Sequence, residues 1–311
     1  MFCIVSFIVL SILSIFSASN RELAREALSC VGRRVTLRPC NTGFDEKMKA
    51  KILGVVITRS EKTARFLNKF FEPIAWFFFI LFVVALLFFG RGLYLFYTTG
   101  SCNGVNAAGF CVFDPTGKNN EVSTIESCKV KPPTLDDLTL QDVDLSLFPT
   151  QNPDAADKIV MIGCYHCDYT RKAYPMMTKL IERFPSSFTF LHYPVKESND
   201  YYSKLGYCVN QQAPDKYWQW NAKMFEGDKA LLDDPAYIDQ MLTDLNIDSS
   251  QIATCTNDPA TEEAVQKQMT EITKTNFYGT PTIFINGDVF VGPKPFRVYA
   301  IALKGFFYWL R

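Results

Sequence analysis

Ile159-Val160-Met161-Ile162-Gly163-Cys164-Tyr165-His166-Cys167 is the stretch whose reading decides the fold. The apolar run from Ile159 to Ile162 has the length of a buried strand, and residues 169 to 184 behind the cysteines carry helical spacing, with Pro175 as an expected kink. Two cysteines separated by two residues, at a strand-to-helix junction, have the geometry of a dithiol/disulfide switch. Two bland readings compete: half of a zinc site, or an inert disulfide. Zinc needs two further ligands, and the chain has only two histidines in all.

Working outward, Phe188 to Tyr193 reads as a second strand, and residues 201 to 272 as a long helical region. Thr282-Ile283-Phe284-Ile285 and Val289-Phe290-Val291, joined by Asn286-Gly287-Asp288, read as a hairpin, and residues 295 to 310 as a closing amphipathic helix. The order is strand, helix, strand, helical insert, helix, hairpin, helix. A parallel pair joined by a helix and followed by an antiparallel hairpin describes the thioredoxin architecture, enlarged by an insert of about seventy residues. The expected fold class is therefore α/β, thioredoxin-like with a helical insertion.

Disulfide exchange needs one accessible, low-pKa cysteine and a second close behind it. Cys164, expected in the first turn of the helix, would have its thiolate stabilised by free backbone N–H groups and the helix dipole, and Cys167 would close the ring. His166 can add positive charge or a hydrogen bond to the Cys164 sulfur. Such stabilisation of the reduced form makes a strong oxidant.

With Cys164-Tyr165-His166-Cys167 followed by Gly279-Thr280-Pro281-Thr282, Phe284 and Asn286-Gly287, residues 158 to 311 resemble the DsbA-like thiol:disulfide oxidoreductases, whose motif reads Cys-Pro-His-Cys. Tyr217-Trp218 to Phe225 is similar to the family's helical insert. The resemblance implies a cis Pro281 beside the Cys164 sulfur, with the Thr280 backbone and Tyr165 meeting an extended substrate strand. It also implies a structural disulfide between Cys208 and Cys255. No cofactor is implied, and the partners would be cysteine-containing exported proteins and a quinone-linked membrane oxidase that recharges the dithiol. A reductase or isomerase of the same fold, or a non-catalytic membrane-anchored chaperone module, are the alternatives.

Two departures from the family pattern stand out. Tyr165 replaces the proline, and six residues before Cys164, where the family carries a buried acid, stands Lys158 with Asp157 beside it. The acid is left unassigned. His192 reads as a satisfied strand histidine.

The 32 basic and 32 acidic residues balance and point to no charged partner, and nothing marks a nucleic-acid or metal site. Two apolar segments matter more, one free of charge and one interrupted only by Arg91. Residues 73 to 98 are long enough for a membrane helix, with Trp76, Tyr94 and Tyr97 as interfacial anchors, and residues 1 to 19 form either a second span or a signal peptide. Between them, residues 21 to 72 hold twelve Lys/Arg against six acids. The positive-inside bias places the 20 to 72 loop in the cytoplasm and everything beyond residue 98 outside, as a two-span membrane protein with its thioredoxin domain on the exterior. A cleaved signal peptide would reverse this.

Seven of ten cysteines fall in the exterior part, consistent with an oxidising compartment. Cys30 and Cys40, in the basic loop, read as reduced bystanders. In the 99 to 131 segment, Cys102, Cys111 and Cys128 flank a Gly/Asn-rich stretch; one local disulfide is expected, with Cys102 and Cys111 the candidate pair and a third cysteine left over. Residues 132 to 157 carry six acids and no base, and read as a solvated linker before the 158 to 311 domain.

Overall fold

The computed structural model describes residues 18–36, 44–58, 60–131, 137–197 and 200–310, in two compact units, Met1–Arg91 and Gly92–Arg311. The first expected membrane segment, and Cys40, lie outside the described residues. Helices α1 (Ala18–Val35) and α2 (Phe44–Ile57) precede α3 (Glu61–Thr99), whose stretch Trp76–Thr99 is apolar, unburied and the one helix among the described residues long enough to cross a membrane. Upstream, α3 is interrupted at Phe70 (φ −106°, ψ 15°), three residues before Pro73. Proline lacks an N–H and its ring crowds the preceding turn, which accounts for the break. Cys30 is disulfide-bonded, so the expectation of a reduced bystander is corrected.

Beyond α3, a Cys102–Cys111 disulfide (Cα–Cα 5.3 Å) closes a small loop, and the short helix α4 (Ile125–Cys128) follows. From residue 137 the acidic stretch is packed rather than solvated: Leu138, Leu140, Leu145, Leu147 and Phe148 lie against Val160, Ile162, Ile272 and Phe277. The leucines, not the acids, decide its placement, because burying them outweighs the cost of ordering the chain.

Five strands form one sheet in the order β1-β3-β2-β4-β5: β1 (Thr150–Gln151), β2 (Lys158–Gly163), β3 (Ser187–His192), β4 (Thr282–Ile285) and β5 (Asp288–Val291). β2 is central, parallel to β3 and antiparallel to β4. Its side chains alternate, Ile159 and Met161 entering one core and Val160 and Ile162 the other, so a continuous apolar run is what a strand covered on both faces requires. Helix α5 (Asp168–Arg183) connects β2 to β3 and contains Pro175. The insert between β3 and β4 resolves into five helices, α6 (Tyr201–Gln212), α7 (Tyr217–Glu226), α8 (Pro235–Asp244), α9 (Ser249–Thr256) and α10 (Pro259–Thr273).

Aspartates cap the last three: Asp234, Asp248 and Asp258 each accept a backbone N–H two residues on, and Pro235 and Pro259 fill first helical positions that need no donor. Cys208 of α6 and Cys255 of α9 are joined by a disulfide (Cα–Cα 5.9 Å). Helix α11 (Phe296–Lys304) and a 3-10 turn, Tyr308–Leu310, end the described chain.

Gly163 ends β2 where nothing larger fits. A Cβ there would come within 2.7 Å of Thr170 Cγ2 and 2.9 Å of Phe190 Cε2. Gly163→Ala is expected to lower stability by about 1–3 kcal/mol, the usual cost of overpacking, read as a lower urea midpoint at unchanged m-value.

Candidate active site

After Gly163 the chain turns through Cys164, Tyr165 and His166, closed by a Cys167 N–H to Cys164 carbonyl bond of 3.2 Å, and α5 begins only at Asp168. The placing of Cys164 in the first helical turn is thus corrected: Cys167 is the N-cap and sits nearest the positive end of the helix dipole.

Cys164 and Cys167 are both thiols, hydrogen-bonded to one another. Cys164 is fully buried and Cys167 5% exposed. Burial, the bond to Cys167 and the nearby Glu197 carboxylate push the Cys164 thiol well up. Cys167 is drawn down, chiefly by the hydrogen bond from Cys164, and also by the Thr280 hydroxyl (Oγ1 to Sγ 3.1 Å) and the Lys196 charge, all working against burial. Of the two thiols Cys167 is therefore the one drawn toward the thiolate, the reverse of the expected acidic, accessible Cys164.

The Thr280–Pro281 peptide is cis. It brings Thr280 against Cys167, and the Thr280 carbonyl accepts a 2.8 Å bond from the Ser123 hydroxyl, so the chain's own segment takes an acceptor at the cis-proline edge. Gly279 must be glycine for this approach, since a Cβ would collide with the Ser123 side chain. The site opens into a cavity of about 560 Å³ lined by His166, Cys167, Tyr169, Lys196, Thr280 and Cys128, among others. Ser123 and Cys128 carry no local sequence pattern that would have marked them.

Glu197, in the loop after β3, is the acid that sequence reasoning missed. Its buried Oε1 accepts the Tyr165 N–H (3.2 Å) and the Cys164 thiol (3.5 Å), and lies 3.3 Å from both His166 Nδ1 and His192 Nε2. Burial alone would raise its pKa, but the two histidines hold it down to about 2. In turn Glu197 raises His166, whose Nε2 lies 3.4 Å from Asp233 Oδ1. His166 is therefore turned toward carboxylates rather than toward the Cys164 sulfur. His192 ends β3, meets Ser203 Oγ at 2.7 Å and stacks on Tyr165 at 4.5 Å, which makes this strand histidine part of the site's charge network.

Neither residue considered before the motif reaches it. Lys158 Nζ bonds the Pro153 carbonyl, and Asp157 pairs with Lys304 and Asn286. Tyr165 is corrected too: it is fully buried, its hydroxyl donates to Asn221 (2.7 Å), and its ring packs among Phe190, His192, Trp220 and Phe225. It anchors the motif to the helical insert rather than offering a side chain to substrate.

A Cys-x-x-Cys thiol pair beside a cis-proline, at the end of the central strand of this sheet, defines a thiol-disulfide oxidoreductase domain of the thioredoxin superfamily. Within it, residues 150–304 match the DSBA-like thioredoxin domain, and the chain carries that domain and its thiol/disulfide exchange activity. Solved structures with a similar fold include a thioredoxin-like oxidoreductase from Silicibacter pomeroyi DSS-3 (19% identity, 55% of this chain and 95% of that one, TM-score 0.46). Others are the thiol-disulfide exchange protein alpha-DsbA2 from Wolbachia pipientis (17%, 49% and 82%, 0.44) and oxidised BdbD from Bacillus subtilis (20%, 58% and 93%, 0.43). No curated protein sequence matches the chain.

Proposed function

We propose that this protein is a membrane-tethered thiol oxidase that introduces disulfides into cysteine-containing exported proteins, with Cys164 and Cys167 as the redox pair. The observation that carries this reading is the hydrogen-bonded dithiol at the cis-proline cavity. Exchange runs by substrate thiolate attack on one sulfur of the oxidised pair while the other leaves, and a second substrate thiol then releases the mixed disulfide. A quinone-linked membrane oxidase is the partner that would restore the disulfide. Glu197 is a positioning residue in this scheme. It holds the turn through the Tyr165 N–H and faces the Cys164 thiol and the two histidines.

The sulfurs have two assignments. The order of the motif in the resembled family puts the mixed disulfide on Cys164, which requires the Lys196-Glu197 loop to draw back. Burial favours Cys167, which already lines the cavity.

Direction and topology are tested together. A reduction potential near −120 mV supports oxidation, and one near −270 mV supports the reductase reading. For topology, two disulfides lie in the part read as exterior, Cys102–Cys111 and Cys208–Cys255, whereas the bonded Cys30 lies in the loop read as cytoplasmic. Two against one favours the exterior placing of the redox domain, because disulfides persist in oxidising compartments. After mild reduction, an impermeant alkylating reagent on intact cells should label Cys102 and Cys111 and spare Cys30; labelling of Cys30 alone reverses the orientation.

A further inference from the structure

The Trp76–Thr99 segment spans 24 residues, about 36 Å of helix, some 6 Å more than a hydrocarbon core of about 30 Å. Its last turns therefore belong in the headgroup region. Within the Gly92–Arg311 unit, these turns hold part of the redox domain against them. Arg297 of α11 places its guanidinium 5.0 Å from the Phe96 ring and donates to the carbonyls of Phe96 (3.4 Å) and Tyr97 (3.3 Å). A cation on the last carbonyls of a helix complements the negative end of its dipole, here beside the Gly100 N–H that the Phe96 carbonyl also accepts (3.1 Å).

Around this joint, two separate pieces of chain expose large apolar side chains. On one side the Phe306 ring lies 5.3 Å from Tyr97, and the residues after it, Phe307, Trp309 and Leu310, are 62%, 43% and 76% exposed. From elsewhere in the sequence, Phe113 packs 5.8 Å from Phe96 and 3.7 Å from the Cβ position of Gly92, while its neighbours Phe110 and Val112 are 76% and 71% exposed. Exposed aromatic clusters of this size are uncommon on a water-facing surface. Both adjoin the end of the one helix among the described residues suited to span a membrane. Aromatic rings at that depth have a known solvent, the bilayer interface, where an apolar ring face and a polar neighbour are both satisfied.

We infer that Phe306, Phe307, Trp309 and Leu310, with Phe110 and Val112, form a collar that inserts into the lipid interface around the exit of the membrane helix. The collar seats the redox domain on the bilayer surface. The inference rests on the membrane reading of α3, and its test separates the two.

Of the four tryptophans, Trp76 starts the apolar segment, Trp309 belongs to the collar, and Trp218 and Trp220 lie in the helical insert. The full chain is reconstituted in phosphatidylcholine vesicles containing lipids brominated near the headgroup end of the acyl chain. In the Trp76→Phe variant, the brominated lipid should still quench a clear fraction of emission, and the further change Trp309→Phe should abolish that quenching. Absence of quenching in Trp76→Phe overturns the collar. If the Trp309→Phe single variant is quenched in that case, through Trp76, the membrane helix stands and only the collar falls. If it too is unquenched, the membrane reading falls and takes the collar with it.

Discussion

Alanine at Cys164 is expected to bring oxidative refolding of a reduced substrate down to the uncatalysed rate, a loss of about three orders of magnitude or more. The exchange stores its oxidising equivalent as one bond between two sulfurs. With one sulfur gone, no internal disulfide can form and no turnover follows. Cys167→Ala should cost as much, and the difference between the variants lies in what each traps. If Cys164 faces the substrate, Cys167→Ala accumulates a long-lived mixed disulfide seen by mass spectrometry under non-reducing conditions. If Cys167 does, the trap appears in Cys164→Ala. Activity surviving in both variants would show that the pair is not the redox centre.

The second large effect is at Glu197. Its charge raises both Cys164 and Cys167, so Glu197→Gln, which keeps the shape and an acceptor, should favour the thiolate forms. A better stabilised reduced state makes the disulfide a stronger oxidant. The equilibrium with glutathione is expected to move at least tenfold toward the reduced pair, about 30 mV for a two-electron couple.

Stability carries a matching signature. Glu197 ionises more readily folded than unfolded, so its contribution is present above about pH 4.5 and drains as pH falls toward about 2. His166 holds its proton more tightly when folded, so its share is full below pH 6.5 and is lost as pH rises through the raised folded value. The pair therefore contributes most between pH 4.5 and 6.5, and urea midpoints for Glu197→Gln across pH should lack both limbs. A wild-type profile in the variant, with an unmoved potential, would assign Glu197 to mere filling of space.

The contrast between what the chain announces and what it conceals follows from locality. Strand β2, the cysteine spacing and the hairpin are legible because each is written in neighbouring residues: alternate side chains of Ile159 to Ile162, two cysteines three apart, an Asn-Gly turn. Glu197 lies thirty-three residues from Cys164, in a loop with no periodic pattern, and only the pairing of β2 with β3 brings it to the thiols. Asp157 and Lys158 looked pertinent because they stand at a suggestive offset along the strand, yet their side chains leave at its far end. The family resemblance puts Tyr165 against the substrate strand. A large aromatic ring instead finds room between β3 and the insert, packed against Phe190 and Trp220. Acidic composition likewise hid the packing of Leu138 to Phe148, since six acids dominate the count while the leucines determine the contacts.

That packed connector limits how far the catalyst can travel. Asn106 grips the outer edge of β5 through the Val289 carbonyl (2.9 Å) and the Val291 N–H (2.7 Å), Ser123 holds Thr280, and the leucines from 138 onward are tucked beneath the sheet. At these points the described parts of the segment are fixed to the sheet they flank. Under the proposed membrane tether, substrate proteins therefore come to the dithiol rather than the dithiol to them.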